Sequence, residues 1–259
     1  MPVVLHELFE YRAFVWNLVF KDLKLKYRDS FLGVVWSLVN PLLMIAVYSF
    51  AFKFVLRVNV DNYPYFLLAG LLPWNFFSAS LLASTGAITG NGSLIKKVYF
   101  PTETLPVATV LFCFAQFLLA LVVFLPALVL ISRAPLGWNS LLFFPLVLLH
   151  FLFTLGLAFA LSALTTPFRD IAHLVEVALV LLFWVTPIIY SVDMAPKRLQ
   201  AVFKASPLAA FTIAYQDVLV SNRIPEGLVI WTLLGWTVAA LLTGSAIFRA
   251  HSPSFAEEV

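Results

Sequence analysis

Long apolar runs alternate with short polar segments along the whole chain. A membrane-spanning helix needs about 20 apolar residues to cross roughly 30 Å of hydrocarbon. Runs of that length cover Phe31–Leu56, Tyr65–Ile88, Thr104–Ile131, Leu141–Thr165, Ile171–Tyr190 and Gly227–Phe248. They lack the strict two-residue alternation of barrel strands. The pattern therefore predicts an all-α integral membrane protein with six transmembrane helices in a single domain, residues 1–259.

The composition agrees with this class of protein. Hydrophobic residues make up 62% of the chain, charged residues only 11%, and the mean hydropathy is +0.98. A soluble domain of this composition would expose more apolar surface than water tolerates. The net charge of +3 is small, and no basic patch is interleaved with exposed aromatic residues. We therefore expect contacts with membrane lipids and none with nucleic acid.

Basic residues near the ends of the runs indicate which side of the membrane each loop faces. The first thirty residues contain a cluster made of Arg12, Lys21, Lys24, Lys26 and Arg28. This cluster places the amino terminus in the cytoplasm, and the even number of spans places the carboxyl terminus there as well. The bias over the remaining loops is slight, so the cluster decides the orientation.

Residues 1–30 carry their own helical pattern. Apolar side chains recur at helical spacing at Leu5, Leu8, Phe9, Trp16, Val19, Phe20 and Leu23. Polar residues lie opposite them at Glu10, Asn17, Lys21 and Lys24. The pattern predicts an amphipathic interfacial helix along the cytoplasmic membrane face. The alternative is a lid packed on the helix bundle.

The sequence contains no recognisable catalytic or metal-binding motif. The single cysteine, Cys113, and the scattered histidines have no ligand or nucleophile–base spacing; the histidines are His6, His150, His173 and His251. The glycine-containing stretch "GAITGNGSLIKK" lacks the phosphate-loop order of glycine, lysine and serine or threonine. We expect no catalytic residue, no metal site and no cofactor bound by this chain. Any ATP hydrolysis must come from another chain.

Several stretches together resemble one transporter family. The first is "LKLKYRDSFLGVVWSLVNPLLMI" (Leu23–Ile45), with its Asn-Pro pair at the first span. The second is "TPFRDIAHLVEVALVLLFWVTPIIYS" (Thr166–Ser191), which an Arg-Asp pair opens and Thr-Pro-Ile-Ile-Tyr closes. Spans one to five then occupy residues 31–190, and "KRLQAVFKASP" and "LAAFTIAYQDVLVSN" follow within residues 192–226. Over nearly its whole length the chain resembles the permease subunits of ABC-type polysaccharide exporters.

The resemblance implies a fold and a set of partners. Two short external helices in residues 192–226 would gate the passage before span six, residues 227–248. The permease would form a homodimer and bind two copies of a separate P-loop ATPase that carries ATP and magnesium. Its cargo would be a lipid-linked polysaccharide, O-antigen or alternatively teichoic acid, leaving through a channel between the protomers. The location implied is the bacterial cytoplasmic (inner) membrane.

The polar stretch "SLIKKVYFPTETLP" (Ser93–Pro106) lies between spans two and three, and a helix is predicted from Asn91 to Phe100 with Pro101 ending it. In the resembling family a cytoplasmic helix at this place docks into the ATPase subunit. Buried aromatic anchors and a basic rim suit such an interface. The candidate docking residues are Leu94, Ile95, Lys96, Lys97, Val98, Tyr99 and Phe100. The alternative is that the lysines only hold the loop inside.

Aromatic side chains are candidates for the channel wall, because flat rings contact the apolar faces of sugars without a fixed donor pattern. By resemblance we assign this role to Tyr48, Phe76, Phe77, Phe183 and Trp184. The candidate cytoplasmic entrance consists of Arg28, Arg169, Asp170 and Glu176, with Glu176 paired to Arg169 or His173. Gln116 and His150 are expected to form interhelical hydrogen bonds.

Two other classes of protein stay open from the residues alone. An ion-coupled secondary transporter would need a charged relay at mid-membrane and internal repeats. A membrane-embedded glycan transferase or polymerase would need reactive groups converging at one depth. Asp193, Asp217 and Glu226 are the candidate carboxylates for such an enzyme, but their spacing gives no reason to expect them to meet.

Overall fold

The computed structural model describes residues 10–28, 35–48, 50, 51, 55, 63–132 and 137–259, and every regular element in these ranges is helical. The α-helices are α1 (Arg12–Tyr27), α2 (Trp36–Tyr48), α3 (Tyr63–Thr85), α4 (Gly92–Ile95), α5 (Thr104–Ser132), α6 (Phe143–Leu164), α7 (Ile171–Val185), α8 (Lys197–Ala205), α9 (Pro207–Leu219), α10 (Gly227–His251) and α11 (Phe255–Glu258). Short 3-10 helices cover Thr89–Asn91, Trp138–Leu142, Val192–Met194 and Ser252–Ser254.

Within these ranges, four helices are long and apolar enough to cross a membrane: Tyr63–Thr85, Thr104–Pro126, Trp138–Leu164 and Gly227–Glu258. They correspond to the predicted spans two, three, four and six, so the all-helical fold with several apolar spans is confirmed. The predicted first span, Phe31–Leu56, lies partly outside the described residues. The count of six spans stays a prediction.

The predicted fifth span, Ile171–Tyr190, ends earlier than expected. Helix α7 is apolar but has only 15 residues, and it ends at Val185. Thr186 takes an extended conformation, with φ −75° and ψ 136°, because the ring of Pro187 disfavours a helical residue before it. The four residues that follow Thr186 therefore form an irregular segment in place of the last helical turn.

Helices α6 and α10 form the most extensive helix pair in the described structure. Their backbones touch where small residues face each other. A Cβ atom built on Gly156 would lie 2.5 Å from the carbonyl carbon of Ala240, and one built on Gly244 would overlap the carbonyl oxygen of Gly156. Small residues at such crossings allow the close van der Waals contact that holds helices together in lipid.

The two short helices predicted within Val192–Glu226 are present as α8 and α9, but their environments differ. Helix α8 has no buried residue, whereas α9 is buried from Ala209 to Leu219 and packs against α3, α6 and α10. Two bonds fix it and its neighbours: Gln216 Nε2 donates to the carbonyl of Pro187 at 3.1 Å, and Tyr63 Oη donates to that of Ile189 at 2.8 Å. Helix α9 is therefore part of the core.

A second hydrophobic cluster lies at the opposite end of the bundle from α9, and we call it the basal cluster. It joins α1, the loops before and after α4, the beginning of α5, the ends of α6 and α10, and α11. Its buried members are Val15, Leu18, Val19, Ile88, Phe100, Leu105, Ala108, Phe159, Ala163, Phe248 and Phe255.

Helix α1 combines both arrangements that its sequence allows. Val15, Leu18 and Val19 pack into the basal cluster, whereas Trp16 and Phe20 are more than half exposed. Trp16, Val19 and Phe20 share one face, as predicted, because they are three and four residues apart on a helix. Val19 lies at the edge of this face, and packing on α5 covers it together with Val15 and Leu18. The interfacial position of α1 stays a prediction. Part of the predicted face, Leu5 to Phe9, lies outside the described residues.

Candidate functional site

A cavity of about 800 Å³ lies between α2, α3, α5 and α7. Its wall is mostly apolar, and exposed side chains of Leu43, Val180 and Trp184 show that it opens to the surface of the chain. Polar groups in the wall come from Lys26, Asn75, Ser78, Gln116 and Glu176. A concave, largely apolar surface with a few polar groups is the usual form of a ligand site.

Aromatic rings form a continuous group on one wall of this cavity. Tyr48 and Phe183 stack with ring centroids 6.0 Å apart, and Phe183 also contacts Trp74 at 5.7 Å and Trp184 at 5.6 Å. The group joins α2, α3 and α7. Trp74 was not among the predicted wall residues, although it lies on the helical face of α3 next to Phe77.

Four of the five candidate wall residues line the cavity: Tyr48, Phe76, Phe183 and Trp184. Phe77 does not, because it is buried between α3 and α6, where it stacks on Phe153 at 5.9 Å. Neighbouring residues on a helix point about 100° apart, so only one of Phe76 and Phe77 could face the cavity. The sequence alone does not give the orientation of the helix, and therefore could not tell which one. Their roles in transport stay predictions.

The polar groups at the cavity come from four helices, α1, α3, α5 and α7. Lys26 Nζ on α1 donates to Gln116 Oε1 on α5, and the same ammonium lies 5.7 Å from the centre of the Phe112 ring. Glu176 Oε2 lies 4.0 Å from His173 Nδ1, and both side chains are largely exposed. A basic and an acidic residue thus reach one cavity. Lys26 was missed as a site residue because it was read only as part of the orienting basic cluster.

The candidate entrance residues do not form a single group. Glu176 lines the cavity, but Arg28 lines a separate hollow with Lys21, Lys24 and Leu25. Arg169 and Asp170 are exposed in the turn before α7. The order of the spans predicted that these four residues lie at the same end of the bundle. In the structure they are spread over different parts of that end.

His150 makes the interhelical contact expected of it. It is buried on α6, its ring stacks on Phe211 of α9 at 4.5 Å, and its Nδ1 lies 3.4 Å from Tyr215 Oη. The edge of Phe76 covers another side of the imidazole at 5.4 Å. These neighbours leave His150 as a packing residue behind the cavity wall.

The predicted helix from Asn91 to Phe100 is wrong in extent. A 3-10 turn leads into the four-residue helix α4, which ends at Ile95. Lys96, Lys97 and Val98 form turns in which their N–H groups donate to the Gly92 and Leu94 carbonyls. Pro101 disfavours a helical conformation at Phe100, directly before it. Instead Phe100 is buried, and its ring lies 5.0 Å from Phe14 of α1.

The loop formed by residues 92–100 nevertheless presents a mixed surface. Tyr99 is 96% exposed, the highest value for a large hydrophobic residue in the described structure. Lys96, Lys97 and Val98 are also exposed, while Leu94 and Ile95 pack partly against the basal cluster. Tyr99 can serve as an anchor for a partner, whereas the intramolecular burial of Phe100 removes it from that role.

A charged cluster lies at the other end of the bundle, in the segment that precedes α10. Arg223 Nη2 lies 2.6 Å from Asp217 Oδ1, and Lys204 Nζ donates to both carboxylate oxygens of Glu226 at 2.7 and 2.8 Å. Burial raises the pKa of Asp217, and the Arg223 guanidinium opposes this shift. The same carboxylate raises the pKa of Arg223.

The three candidate carboxylates, whose spacing gave no reason to expect them to meet, lie in one region of the fold. Asp193 and Glu226 are both close enough to act on the pKa of Asp217 and of Arg223. The fold brings them together because Arg223 N donates to the Asp217 carbonyl at 2.8 Å and closes the turn after α9. Since Asp217 and Glu226 each pair with a cation, the cluster is arranged as a set of ion pairs and not as an acid–base pair.

The comparisons with known proteins agree with the resemblance found in the sequence. Residues 14–220 match the family model described as ABC-2 type transporter, a stretch that includes every helix of the cavity wall. The chain is 34% identical over 260 residues to the O-antigen export system permease protein RfbA of Myxococcus xanthus, with 99% of each chain covered.

Two further relatives cover most of the chain. The O-antigen export system permease protein RfbA of Klebsiella pneumoniae is 33% identical over 240 residues, which are 92% of this chain and 91% of that protein. The polysialic acid transport protein KpsM of Escherichia coli is 21% identical over 240 residues, with 90% of this chain and 92% of that protein covered.

Proposed function

Because the chain belongs to the ABC-2 type transporter family of membrane domains, we propose that it is the permease subunit of an ATP-driven exporter of lipid-linked O-antigen. The relatives support a polysaccharide ABC exporter as the broader class. A separate P-loop ATPase, present in two copies, binds ATP and magnesium and supplies the energy. The complex lies in the bacterial inner membrane with both ends of this chain on the cytoplasmic side.

The observation that carries the proposal is the aromatic cavity between α2, α3, α5 and α7. It is open along the faces of α2 and α7, so a second copy of the chain placed against these helices would close it into a passage. A homodimer with this geometry gives a polymer two aromatic walls. The chain alone supplies one of them.

The chemistry of the cavity suits a sugar polymer. Rings such as Tyr48, Phe183 and Trp184 offer large, stiff contacts to sugar faces, and such contacts are nearly the same for each successive residue of a polymer. Few charged groups line the wall, so the polymer would not be held strongly at any one position along it. Lys26 and Glu176 at one end of the cavity can contact polar groups of the arriving substrate.

The 92–100 loop is the proposed docking site for the ATPase. Tyr99 would insert into the ATPase surface, and Lys96 and Lys97 would complement an acidic rim. Closure of the two ATPase subunits around ATP would displace the loop. The loop joins α3 and α5, which both line the cavity, so its displacement reaches the passage directly.

Affinity purification tests the proposal. The tagged permease is extracted gently from its native membranes, and the proteins that copurify are identified. We expect a P-loop ATPase in one-to-one ratio with the wild-type permease and its loss with Tyr99→Ala. Trp138→Ala is the matched control, because Trp138 is 89% exposed but lies in the 3-10 helix before α6, at the other end of the bundle.

The cargo is tested by complementation. The gene is expressed in one strain that lacks its O-antigen exporter and in another that lacks its teichoic acid exporter, each with the cognate ATPase of this permease. Restored O-antigen at the outer face supports the proposal, and restoration of teichoic acid alone overturns the cargo while leaving the exporter class intact. A wild-type permease that stays folded and copurifies with no ATPase refutes the exporter itself.

A further inference from the structure

The segment after α10 folds back toward the 92–100 loop. Pro253 lies in the 3-10 turn Ser252–Ser254, where Ser254 Oγ donates to the His251 carbonyl at 2.9 Å. A proline in this turn cannot continue the hydrogen-bond ladder of α10. The chain changes direction here and buries Phe255 completely within the basal cluster. We call residues 252–259 the return segment.

The return segment contacts α4 at a glycine. A Cβ atom built on Gly92 would lie 3.0 Å from Val259 Cβ and 3.2 Å from Val259 Cγ2. A side chain at position 92 would therefore require Val259 to shift by a few tenths of an ångström. Leu94, Ile95 and Val259 all pack against the basal cluster, so α4 and the return segment share one apolar base as well as this direct contact.

A row of phenylalanine rings connects the return segment to the α6–α10 crossing. Phe255 contacts Phe248 at 5.2 Å, and Phe248 contacts Phe159 at 5.4 Å, both edge to face. Phe159 on α6 and Phe248 on α10 lie about one helical turn beyond Gly156 and Gly244, where the two backbones touch. The packing from α4 to this crossing is thus continuous.

The short helix α4 cannot hold its position alone. A helix of four residues is below the length that is stable in isolation, so its packing contacts decide where it lies. One set of contacts comes from α1, through Phe14 and Phe100. The other comes from the return segment, through Val259. The loop is connected through the backbone to α3 and α5. The return segment adds packing contacts that connect the loop to α6 and α10.

We propose that the return segment is a positioning brace: Phe255 and Val259 hold the ATPase-docking loop and pass its displacement to the α6–α10 pair, so that both halves of the bundle move together. The inference rests on the proposed function, since it assigns a role to the docking loop. It adds residues that contact neither the cavity nor the exposed docking surface.

A double-mutant cycle at the contact tests the brace. Gly92→Ala adds a methyl group against Val259, and Val259→Ala removes two. We expect each single variant to lower the amount of polymer exported per ATP hydrolysed by about 2- to 30-fold, the range of coupling energies spread along such packed routes. In the double variant the added methyl refills part of the space, so its export should exceed the product of the two single effects.

The readout separates positioning from a general loss of structure. Each variant is checked for its thermal unfolding midpoint, which we expect to stay near the wild-type value. Val259→Ala, which lies outside the docking loop, is also checked for copurification of the ATPase, and we expect the ATPase to copurify as it does with the wild type. Additive effects in the cycle overturn the brace, as does a loss of export that follows loss of the folded protein. If the wild-type permease binds no ATPase, the proposed function fails before the brace is tested, so the two failures are distinct.

A cysteine pair gives a second, independent test. Gly92→Cys and Val259→Cys are combined and oxidised in membranes; the native Cys113 is buried on α5 and does not compete. The two Cβ positions are 3.0 Å apart, and a disulfide needs a separation of about 3.5–4.5 Å, so we expect the bond to form after a small outward shift. We also expect oxidation to leave export unchanged, because the brace and the loop move as one. Failure to form the disulfide contradicts the contact. Formation that stops export shows that the segments must separate, which refutes the brace.

Discussion

The two sides of the helix bundle are packed in different ways. At the α6–α10 crossing, glycine and alanine let the backbones touch, and no space is left between the helices. Between α2, α3, α5 and α7, large aromatic side chains leave a cavity of about 800 Å³. The difference fits the proposed function: the tightly packed side fixes the shape of the protomer, and the open side is the surface that the proposal assigns to the polymer and to a second protomer.

The largest effect of a substitution on stability is expected at the glycine crossing, where the helices are packed most tightly. Gly244→Leu places a side chain into the backbone of Gly156, and overpacking of this kind costs about 3 kcal/mol or more in the free energy of unfolding. Gly235→Leu is the matched control, because a Cβ atom at Gly235 on the same helix meets nothing within 4 Å. Membrane yield and the thermal unfolding midpoint measure both variants.

We expect Gly244→Leu to accumulate poorly and to unfold at a much lower temperature, whereas Gly235→Leu should match the wild type. Equal stability of the two variants would mean that the helices do not touch at Gly156. The division between a tight side and an open side would then be lost.

The sequence predicted the membrane spans but not the way in which the helices pack on each side of the bundle. The spans themselves were predictable, because apolar runs of the right length leave little choice, and α3, α5, α6 and α10 lie where the runs are. The glycine crossing was not predicted, since a pair such as Gly156 and Gly244 becomes significant only when two distant segments are brought together. Composition gives no sign of it.

Local signals also misled where distant packing decided the outcome. The stretch Val98 to Phe100 was assigned to a helix, but the structure instead buries Phe100 against Phe14 of α1. The carboxylates Asp217 and Glu226 looked unrelated, because the turn that joins them depends on the Arg223 backbone bond to Asp217. In both cases a long-range contact overrides the local pattern.

The open side should respond in transport and not in folding. Trp184→Ala removes an exposed ring from the cavity wall, and we expect export to fall about 2- to 10-fold, because an aromatic contact contributes about 0.5–1.5 kcal/mol beyond its buried area. Trp231→Ala is the control, since Trp231 is exposed on α10 but does not line the cavity. Polymer at the outer face and ATP hydrolysis are measured together.

Unchanged ATP hydrolysis with reduced export in Trp184→Ala, and no change in Trp231→Ala, would identify the cavity as the path of the polymer. Equal losses in the two tryptophan variants would instead point to a general effect of the surface on membrane insertion. That result would not support the cavity as the path of the polymer.

The smallest effect concerns Asp217, at the end of α9 on the tight side. Burial raises the pKa of its carboxyl group above the ordinary value of 3.8, so the folded protein binds this proton more strongly than the unfolded chain does. By linkage, its contribution to stability is complete below pH 3.8 and is lost as the pH rises through the higher folded pKa. Asp217→Asn should remove this part of the pH dependence.

The measurement is the thermal unfolding midpoint of the purified protein across the acidic range, compared between wild type and Asp217→Asn. The variant should lose less stability than the wild type as the pH rises from the acid end, by about 1 kcal/mol or less, because Arg223 offsets much of the cost of the buried charge. A variant that instead loses more stability as the pH rises would show that the Arg223 pair outweighs burial. The cluster would then act as a stabilising clamp on α9, and the tight side would depend on charge as well as on small residues.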